Sequence, residues 1–254
     1  MQKTKLLIAV LGTLSAATAM AADAPASSLT PSSNVAVVSN YLYRGISQTG
    51  ASPAIQGGFD LAHASGAYIG VWGSSISWIS DANTSVANSG TEFDTYLGYK
   101  GKAGPIDYDV GYLRYNYPGK VPAGTASSDT DELYIAGTYS IATLKVSYSL
   151  GDTFGVTKAA GSTYVDLSVN YPVGETGYTL GAHYGTQTYT STDSSVDNSI
   201  YTYSDYKVSV SKDLGSGYAL SLTGSSTNAK ESSYTVQNKF LGRSAAVVAL
   251  SRAF

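Results

Sequence analysis

Apolar and polar residues alternate along most of the chain from residue 34 onward. Leu144, Val146 and Tyr148 share one face of such a segment, and Lys145 and Ser147 share the opposite face. Because side chains alternate across a β-strand with a period of two, each segment of this kind predicts one amphipathic strand. The pattern therefore predicts an all-β protein.

Segments of this kind recur twelve times. They are 34–44, 53–63, 67–78, 91–100, 106–116, 131–140, 142–150, 163–171, 178–188, 203–213, 217–226 and 240–254. Boundaries inferred from a pattern shift by about two to four residues, so ten and fourteen strands remain alternatives.

The connections between these segments are alternately short and long. Residues 64–66 and 141 form tight turns, whereas 117–130 and 189–202 are longer and rich in Ser, Thr, Asn, Asp and Gly. Short periplasmic turns and longer extracellular loops are typical of outer-membrane barrels. The sequence thus predicts a transmembrane, antiparallel, up-and-down β-barrel over residues 34–254.

Closure has a physical reason. In hydrocarbon, every backbone N–H and C=O must be paired within the protein, and a sheet achieves this only by closing on itself. A soluble sandwich or a lectin-like jelly roll is the alternative, because the strands of both also alternate. Strands of about ten residues favour the barrel, as does the preference for Tyr over Phe, at 22 residues against 5.

The first 22 residues have the features of a secretory signal peptide. Lys3 and Lys5 precede an apolar run, and Ala19-Met20-Ala21 supplies the small-residue cleavage pattern. Residues 23–33 contain two prolines and show no periodicity, so we expect a flexible mature N-terminus there. The expected location is the outer membrane of a Gram-negative bacterium.

Composition removes several classes of function. The chain has no Cys, which excludes disulfides, thiolate metal sites and cysteine nucleophiles. Charged residues make up 13%, against about 25% in soluble proteins, which argues against a highly solvated cytosolic surface. Removing Lys3 and Lys5 with the leader changes the net charge from -3 to -5, which gives no reason to expect nucleic acid. We predict neither a cofactor nor a metal.

Tyrosines near strand ends predict aromatic girdles at the two membrane interfaces. They are Tyr41, Tyr43, Tyr99, Tyr112, Tyr115, Tyr117, Tyr171, Tyr178, Tyr201, Tyr203 and Tyr218. The chain ends on Phe254, in phase with Val248 and Leu250, which is similar to the signal for insertion of outer-membrane barrels. Arg252 departs from that signal, which usually has an aromatic or apolar residue two places before the end.

The polar face of the strands predicts which residues line the lumen. The candidates are Arg44, Asp60, Asp94, Lys100, Asp107, Asp109, Arg114, Glu132, Lys145, Asp166, His183 and Lys207. Placing Arg114 there assumes an irregularity in its strand, because Leu113 breaks the alternation. Both signs of charge occur, so we expect ion pairs across a mixed constriction. Twelve strands predict a narrow passage, with closure by an inward loop as an alternative.

Candidate catalytic groups are few. His63 and Ser65 have the two-residue spacing of outer-membrane phospholipase, but the pair falls at a predicted turn without an evident orienting Asn. Asp107 and Asp109 share a face, which could suggest acid–base chemistry, although lumenal acceptors explain them better. We predict that the chain is not an enzyme, and a barrel lipase is the weakest alternative.

One segment carries a family resemblance. Ser39-Asn40-Tyr41-Leu42-Tyr43-Arg44-Gly45-Ile46-Ser47-Gln48, with 53–60 and 70–76, resembles the TorF-type porin family. The likeness extends from the leader to Phe254. It implies an outer-membrane barrel with a pore role and supplies no substrate. The motif places Arg44 at the extracellular mouth, either as an anion filter or in an ion pair that anchors its loop.

The leading hypothesis is passive diffusion of small polar solutes. A structural or adhesive barrel with a plugged lumen is the alternative. The expected partners are outer-membrane lipid, periplasmic chaperones and the barrel assembly machinery.

Overall fold

The computed structural model describes residues 28–82, 89–121 and 126–254. The strands are β1 (Leu29–Val38), β2 (Leu42–Tyr43), β3 (Ile46–Ser47), β4 (Ala54–His63), β5 (Ala67–Ser75), β6 (Thr91–Ala103), β7 (Ile106–Asn116), β8 (Thr130–Tyr139), β9 (Ala142–Ser149), β10 (Thr163–Pro172), β11 (Tyr178–Thr188), β12 (Tyr203–Gly215), β13 (Tyr218–Thr227), β14 (Thr235–Val236), β15 (Lys239–Phe240) and β16 (Ala245–Ala253). The helices are α1 (Trp78–Ala82), a 3₁₀ turn (Asn198–Tyr201) and α2 (Glu231–Tyr234). None of the described helices has the length and apolar character needed to span a membrane.

Twelve strands form one closed barrel, in the order β1-β16-β13-β12-β11-β10-β9-β8-β7-β6-β5-β4. Neighbouring strands are antiparallel throughout. Strand β1 closes the ring, because it pairs with β4 on one side, Val37 opposite Ile55, and with β16 on the other, Val37 opposite Leu250. The predicted antiparallel barrel and its count of twelve are confirmed.

The two ends of the chain differ from the prediction. Strand β1 begins at Leu29, and Leu29 lies opposite His63. The prediction of a flexible segment over 23–33 is therefore wrong from Leu29 onward, because ladder bonds to β4 order residues that show no periodicity. Strand β16 begins at Ala245 rather than at 240. Residues 1–27, which include the predicted signal peptide, lie outside the described residues.

The burial pattern is the reverse of that in a soluble protein. In β6, Glu92, Asp94 and Tyr96 are buried, whereas Phe93 and Leu97, which alternate with them, are exposed. Strand β12 likewise exposes Val208, at 67%, and buries Asp205 completely. An apolar outer band around a polar interior is the arrangement of a membrane-spanning barrel.

The long connections gather at one end of the barrel, which we call the long-loop end. Their described parts are residues 39–53, 76–82, 89–90, 117–121, 126–129, 150–162, 189–202 and 228–244. The tight turns, such as 64–66 and 140–141, lie at the opposite, short-turn end. The first long connection folds into the barrel. Five of its residues are buried: Asn40, Tyr41, Arg44, Ser47 and Thr49.

Strands β2 and β3 make this first connection a small hairpin, with Leu42 opposite Ser47 and Tyr43 opposite Ile46. We call Asn40–Thr49 the inner hairpin. Its two-residue tip has positive φ at both positions, 46° at Arg44 and 78° at Gly45. A tip of this kind matches the twist of the strands that it joins, and Gly45 relieves the strain at one of the two positions.

Candidate functional site

The inner hairpin crosses the lumen, and Arg44 at its tip makes the decisive contact. Arg44 Nη2 donates to both carboxylate oxygens of Glu132 on β8, at 2.9 and 2.7 Å. Arg44 Nη1 donates to Gln187 Oε1 on β11 at 2.6 Å. The hairpin follows β1, and these strands belong to the far side of the ring from β1. The guanidinium thus ties the loop to the opposite wall.

Aromatic rings enclose the same guanidinium. Its central carbon lies 4.3 Å from the ring centre of Tyr164, 4.8 Å from that of Tyr43 and 5.7 Å from that of Phe154. Burial disfavours the charged form, but the ion pair with Glu132 outweighs burial and raises the pKa of Arg44 above its usual value. The buried cation is therefore paired with a carboxylate and in contact with aromatic rings.

Further contacts fix the rest of the inner hairpin. Tyr41 Oη donates to Glu92 Oε1 on β6 at 3.1 Å, and Tyr43 Oη donates to Tyr115 Oη on β7 at 2.6 Å. Burial, together with the nearby Glu92 carboxylate, raises the pKa of Tyr41 well above its usual range, so the phenol remains a donor. The hairpin therefore has hydrogen-bonded anchors on two further strands.

The tip is also in close contact with the wall. A Cβ placed on Gly45 would lie 2.6 Å from Thr227 Cγ2 and 2.7 Å from Asp205 Cβ. Only a glycine fits this approach, because such distances are shorter than van der Waals contact. Together with the Arg44 contacts, the hairpin reaches β6, β7, β8, β11, β12 and β13. It thus contacts six of the twelve barrel strands.

A second charged cluster is centred on His183 of β11. His183 Nδ1 lies 3.2 Å from Asp166 Oδ2, and Nε2 lies 3.0 Å from Asp205 Oδ1. Each ring nitrogen can donate to its carboxylate only when both carry a proton, so the geometry fits the imidazolium. Lys207 Nζ lies 3.8 Å from the same Asp205 oxygen. This cluster joins three neighbouring strands on the wall that faces Arg44.

A cavity of about 50 Å³ lies between the inner hairpin and these walls. It is lined by Leu42, Tyr43, Arg44, Tyr115, Lys145, Ser147, Tyr164, Asp166, Ser168, His183 and Lys207. A volume of this kind holds about four water molecules, since each needs ~10–15 Å³. The lining is mainly polar, and its cationic groups come from the inner hairpin and from β9, β11 and β12.

The residue pattern of the whole barrel assigns the family. The model of a family described as bacterial proteins of unknown function, Gcw_chp, matches residues 22–254. The chain belongs to the Gcw_chp family. No curated protein matches this sequence.

Solved structures show similar architecture to this Gcw_chp chain. A structure titled KdgM porin is 9% identical, covers 88% of this chain and 98% of its own, and has a TM-score of 0.52. A structure of the NanC porin is 8% identical, covers 89% of this chain and 99% of its own, and has a TM-score of 0.51. At this level of identity, the likeness concerns the fold.

Most of the predicted lumenal residues lie on the inner face of the Gcw_chp barrel. Buried there are Arg44, Asp60, Asp94, Glu132, Asp166 and His183. Lys145 and Lys207 line the cavity, and Asp109 accepts a hydrogen bond from Tyr68 Oη at 2.6 Å. Of the two alternatives for Arg44, the structure has the ion pair that anchors the loop.

Two positions differ from the prediction. Arg114 alternates with the buried Leu113 and Tyr115, so it lies on the outer face, where Nη1 is 2.8 Å from Asp131 Oδ2. The assumed irregularity does not exist, because the register between β7 and β8 is continuous. Asp107 is exposed at the short-turn end and pairs with Lys102.

The tyrosine prediction was correct for only part of its set. Tyr99, Tyr171, Tyr178 and Tyr218 are exposed on the outside near strand ends, as girdles require. Tyr41, Tyr115, Tyr117 and Tyr203 are buried instead. A tyrosine suits the interior because its hydroxyl bonds to carboxylates while its ring fills space.

Several functional residues were missed. Glu92, Gln187 and Asp205 are each at most 1% exposed inside the barrel. Glu92 precedes Asp94 by two residues, and Asp205 precedes Lys207 by two, so strand phase alone could have found both. Among the residues that the structure describes, Glu92 Oε2 and Asp94 Oδ1 have no hydrogen-bond partner.

The candidate hydrolase pair lies at an exposed turn. His63 Nδ1 is 2.8 Å from Ser65 Oγ, and the backbone N–H of Ser65 donates to the same nitrogen at 3.1 Å. Within the described ranges, no carboxylate or amide side chain contacts the His63 ring. This geometry is that of a turn in which a side chain caps the backbone. Those ranges also contain no cluster of three or more His, Asp or Glu able to hold a metal.

Proposed function

We propose that this protein is an outer-membrane porin through which small hydrophilic solutes diffuse passively. The observation that carries the proposal is the reversed burial of a closed barrel: exposed apolar side chains outside, and buried charged side chains inside. Lipid stabilises the first surface, and an aqueous or solute-filled interior suits the charges on the second. Neither a cofactor nor a turnover step is required.

Two likenesses support the proposal. The structures with similar architecture are named porins, and the motif over 39–48 resembles the TorF-type porin family. We assign the chain to that type on the motif. The low charge content and the outer tyrosines agree with a membrane location.

The inner hairpin sets the width of the passage. Any solute must pass Arg44 and its partners, because the hairpin contacts six strands at that level. The same observation favours a second candidate, in which the barrel is permanently plugged and acts through its loops. The two candidates differ in one measurable property, which is the conductance of the native protein.

Planar-bilayer recording of refolded protein separates them. We expect small, discrete conductance steps from the wild type, and larger steps when Leu42–Ser47 is replaced by two glycines. The control replaces residues 192–197 by two glycines in the same way. These residues form a mostly exposed stretch of another long connection, so the size of the conductance steps should be unchanged. A silent wild type with a conducting hairpin variant would establish the plugged barrel. Silence in both would reject the channel.

Export and assembly complete the proposal. Residues 1–22 act as the signal peptide, periplasmic chaperones carry the unfolded chain, and the barrel assembly machinery recognises Phe254. Phe254 is 55% exposed, and the Arg252 guanidinium lies 4.4 Å from its ring centre. Deleting Phe254 should lower the amount of heat-modifiable barrel in outer-membrane fractions. Unchanged assembly would remove the terminal signal from the proposal.

A further inference from the structure

We propose that the cavity beneath the inner hairpin is a subsite for the anionic group of a solute, a carboxylate or a phosphate, with Lys145 as its main ligand. The inference rests on the proposed function and adds a substrate class to it. Lys145 and Ser147 lie two residues apart on β9, so both face the cavity.

The carboxylates around this cavity already have partners. Glu132 is paired with Arg44, while Asp166 and Asp205 both contact His183. Four cationic groups, counting the imidazolium, therefore face three engaged carboxylates. They are Arg44, Lys145, His183 and Lys207 against Glu132, Asp166 and Asp205.

Lys145 is the cation left over. Among the described residues, no carboxylate oxygen lies within 4.0 Å of its ammonium group. Its contact is with an aromatic face, since Nζ lies 4.1 Å from the ring centre of Tyr134. Such a contact supports a cation but uses none of its three N–H donors.

Ser147 provides a second unused donor beside it. Its side chain is 3% exposed, and its hydroxyl makes no hydrogen bond to any residue in the described part of the chain. A buried hydroxyl and a buried ammonium that open on the same small cavity require acceptors. Water meets that need in part, and an anion meets it fully because it also compensates the charge.

The volume of the cavity indicates the size of the anionic group that it can hold. Space for about four water molecules is enough for the non-hydrogen atoms of a carboxylate or a phosphate. The cavity would thus hold the charged group of a solute while the remainder lies elsewhere in the lumen. A cation is disfavoured there, because each carboxylate within reach is already engaged.

Calorimetric titration tests the subsite without requiring an open channel. Refolded wild-type protein in detergent is titrated with inorganic phosphate and, separately, with acetate, at constant ionic strength. We expect saturable binding of one anion per chain. Lys145→Gln should weaken it about tenfold or more, as expected for loss of one charge-assisted hydrogen bond. Ser147→Ala should weaken anion binding less than Lys145→Gln does, and Lys145→Arg should largely retain it.

Lys102→Gln is the matched control. It also removes one lysine, but Lys102 is exposed at the short-turn end, where it pairs with Asp107. Binding should be unchanged in this variant. Equal weakening in Lys102→Gln and Lys145→Gln would mean that general charge attracts the anion and would overturn the subsite, as would an absence of saturable binding to the wild type.

The channel role and the anion subsite can be rejected independently of each other. A protein that conducts but does not bind phosphate or acetate keeps its channel role and loses the subsite. A protein that binds one anion through Lys145 but never conducts keeps the subsite and loses the channel role.

Discussion

Replacing Arg44 with alanine should release the inner hairpin from the barrel wall. The Arg44 and Glu132 side chains are 6% and 2% exposed, so their ion pair is buried. Removing one partner of a buried pair leaves the other charge uncompensated, at a cost of about 3–5 kcal/mol. Glu132 regains water only when the hairpin moves away. The docked state should therefore lose most of this free energy relative to the undocked state.

A single introduced cysteine measures this equilibrium, because the natural chain has no Cys. Ile46→Cys places a thiol inside the hairpin at a position only 7% exposed. When the hairpin closes faster than a water-soluble maleimide reacts, the labelling rate follows the undocked population. A loss of about 3–5 kcal/mol then predicts labelling that is faster by about 10²–10⁴-fold in Arg44→Ala.

The control removes an arginine that does not bind the wall. Arg243 is exposed in the last long connection, and Arg243→Ala should leave the labelling rate unchanged. Arg44→Lys should fall between, because an ammonium keeps the charge but lacks the planar fork of donors. Heat-modifiable mobility on gels shows that the barrel itself stays folded. A rate in Arg44→Ala within threefold of the parent would refute the reasoning, since the ion pair would then not hold the hairpin.

Three further predictions follow from single positions. Gly45→Ala should speed labelling in the same assay, because its Cβ would lie 2.6 Å from Thr227 Cγ2; an unchanged rate would show that the tip is not seated against the wall. Val208→Arg should destabilise the barrel by about 2–4 kcal/mol in urea unfolding from phospholipid vesicles, because Val208 is 67% exposed on the outer face; no loss would contradict contact with lipid. Asp94→Asn should stabilise the barrel by about 1–3 kcal/mol, because an amide removes the repulsion between the buried carboxylates of Asp94 and Glu92 and can donate a hydrogen bond to Glu92. Asp60→Asn should act in the opposite direction, because Asp60 accepts a hydrogen bond from Tyr96 Oη at 2.6 Å; the same sign for both would reject the argument.

The barrel was predictable because its signal is local. A period of two along each strand separates the lipid face from the inner face, and alternating short and long connections set the topology. Strand phase also placed Asp60, Glu132, Asp166 and His183 on the inside. At Arg114, the prediction assumed an irregularity in the strand instead of following the strand phase, and it was wrong.

Residues 29–33 could not be predicted in this way. Leu29-Thr-Pro-Ser-Ser carries no alternation, and these residues are ordered by pairing with β4. Tyrosine was equally ambiguous, because its ring suits the membrane interface and its hydroxyl suits a charged interior. The phase of each strand and its neighbours in the barrel decide that Tyr99 lies on the outside and Tyr115 on the inside.

The sequence by itself determined the class of protein: a closed, membrane-spanning barrel with a polar inner face that carries charged residues. Only the tertiary structure decided what those charges do. Arg44 is 88 residues from Glu132 and 143 from Gln187 along the chain, so no local pattern encodes their contact. Once the ring closes and the first loop folds into it, Arg44 is tied to the opposite wall, and Lys145 is the cation left without a carboxylate beside the cavity.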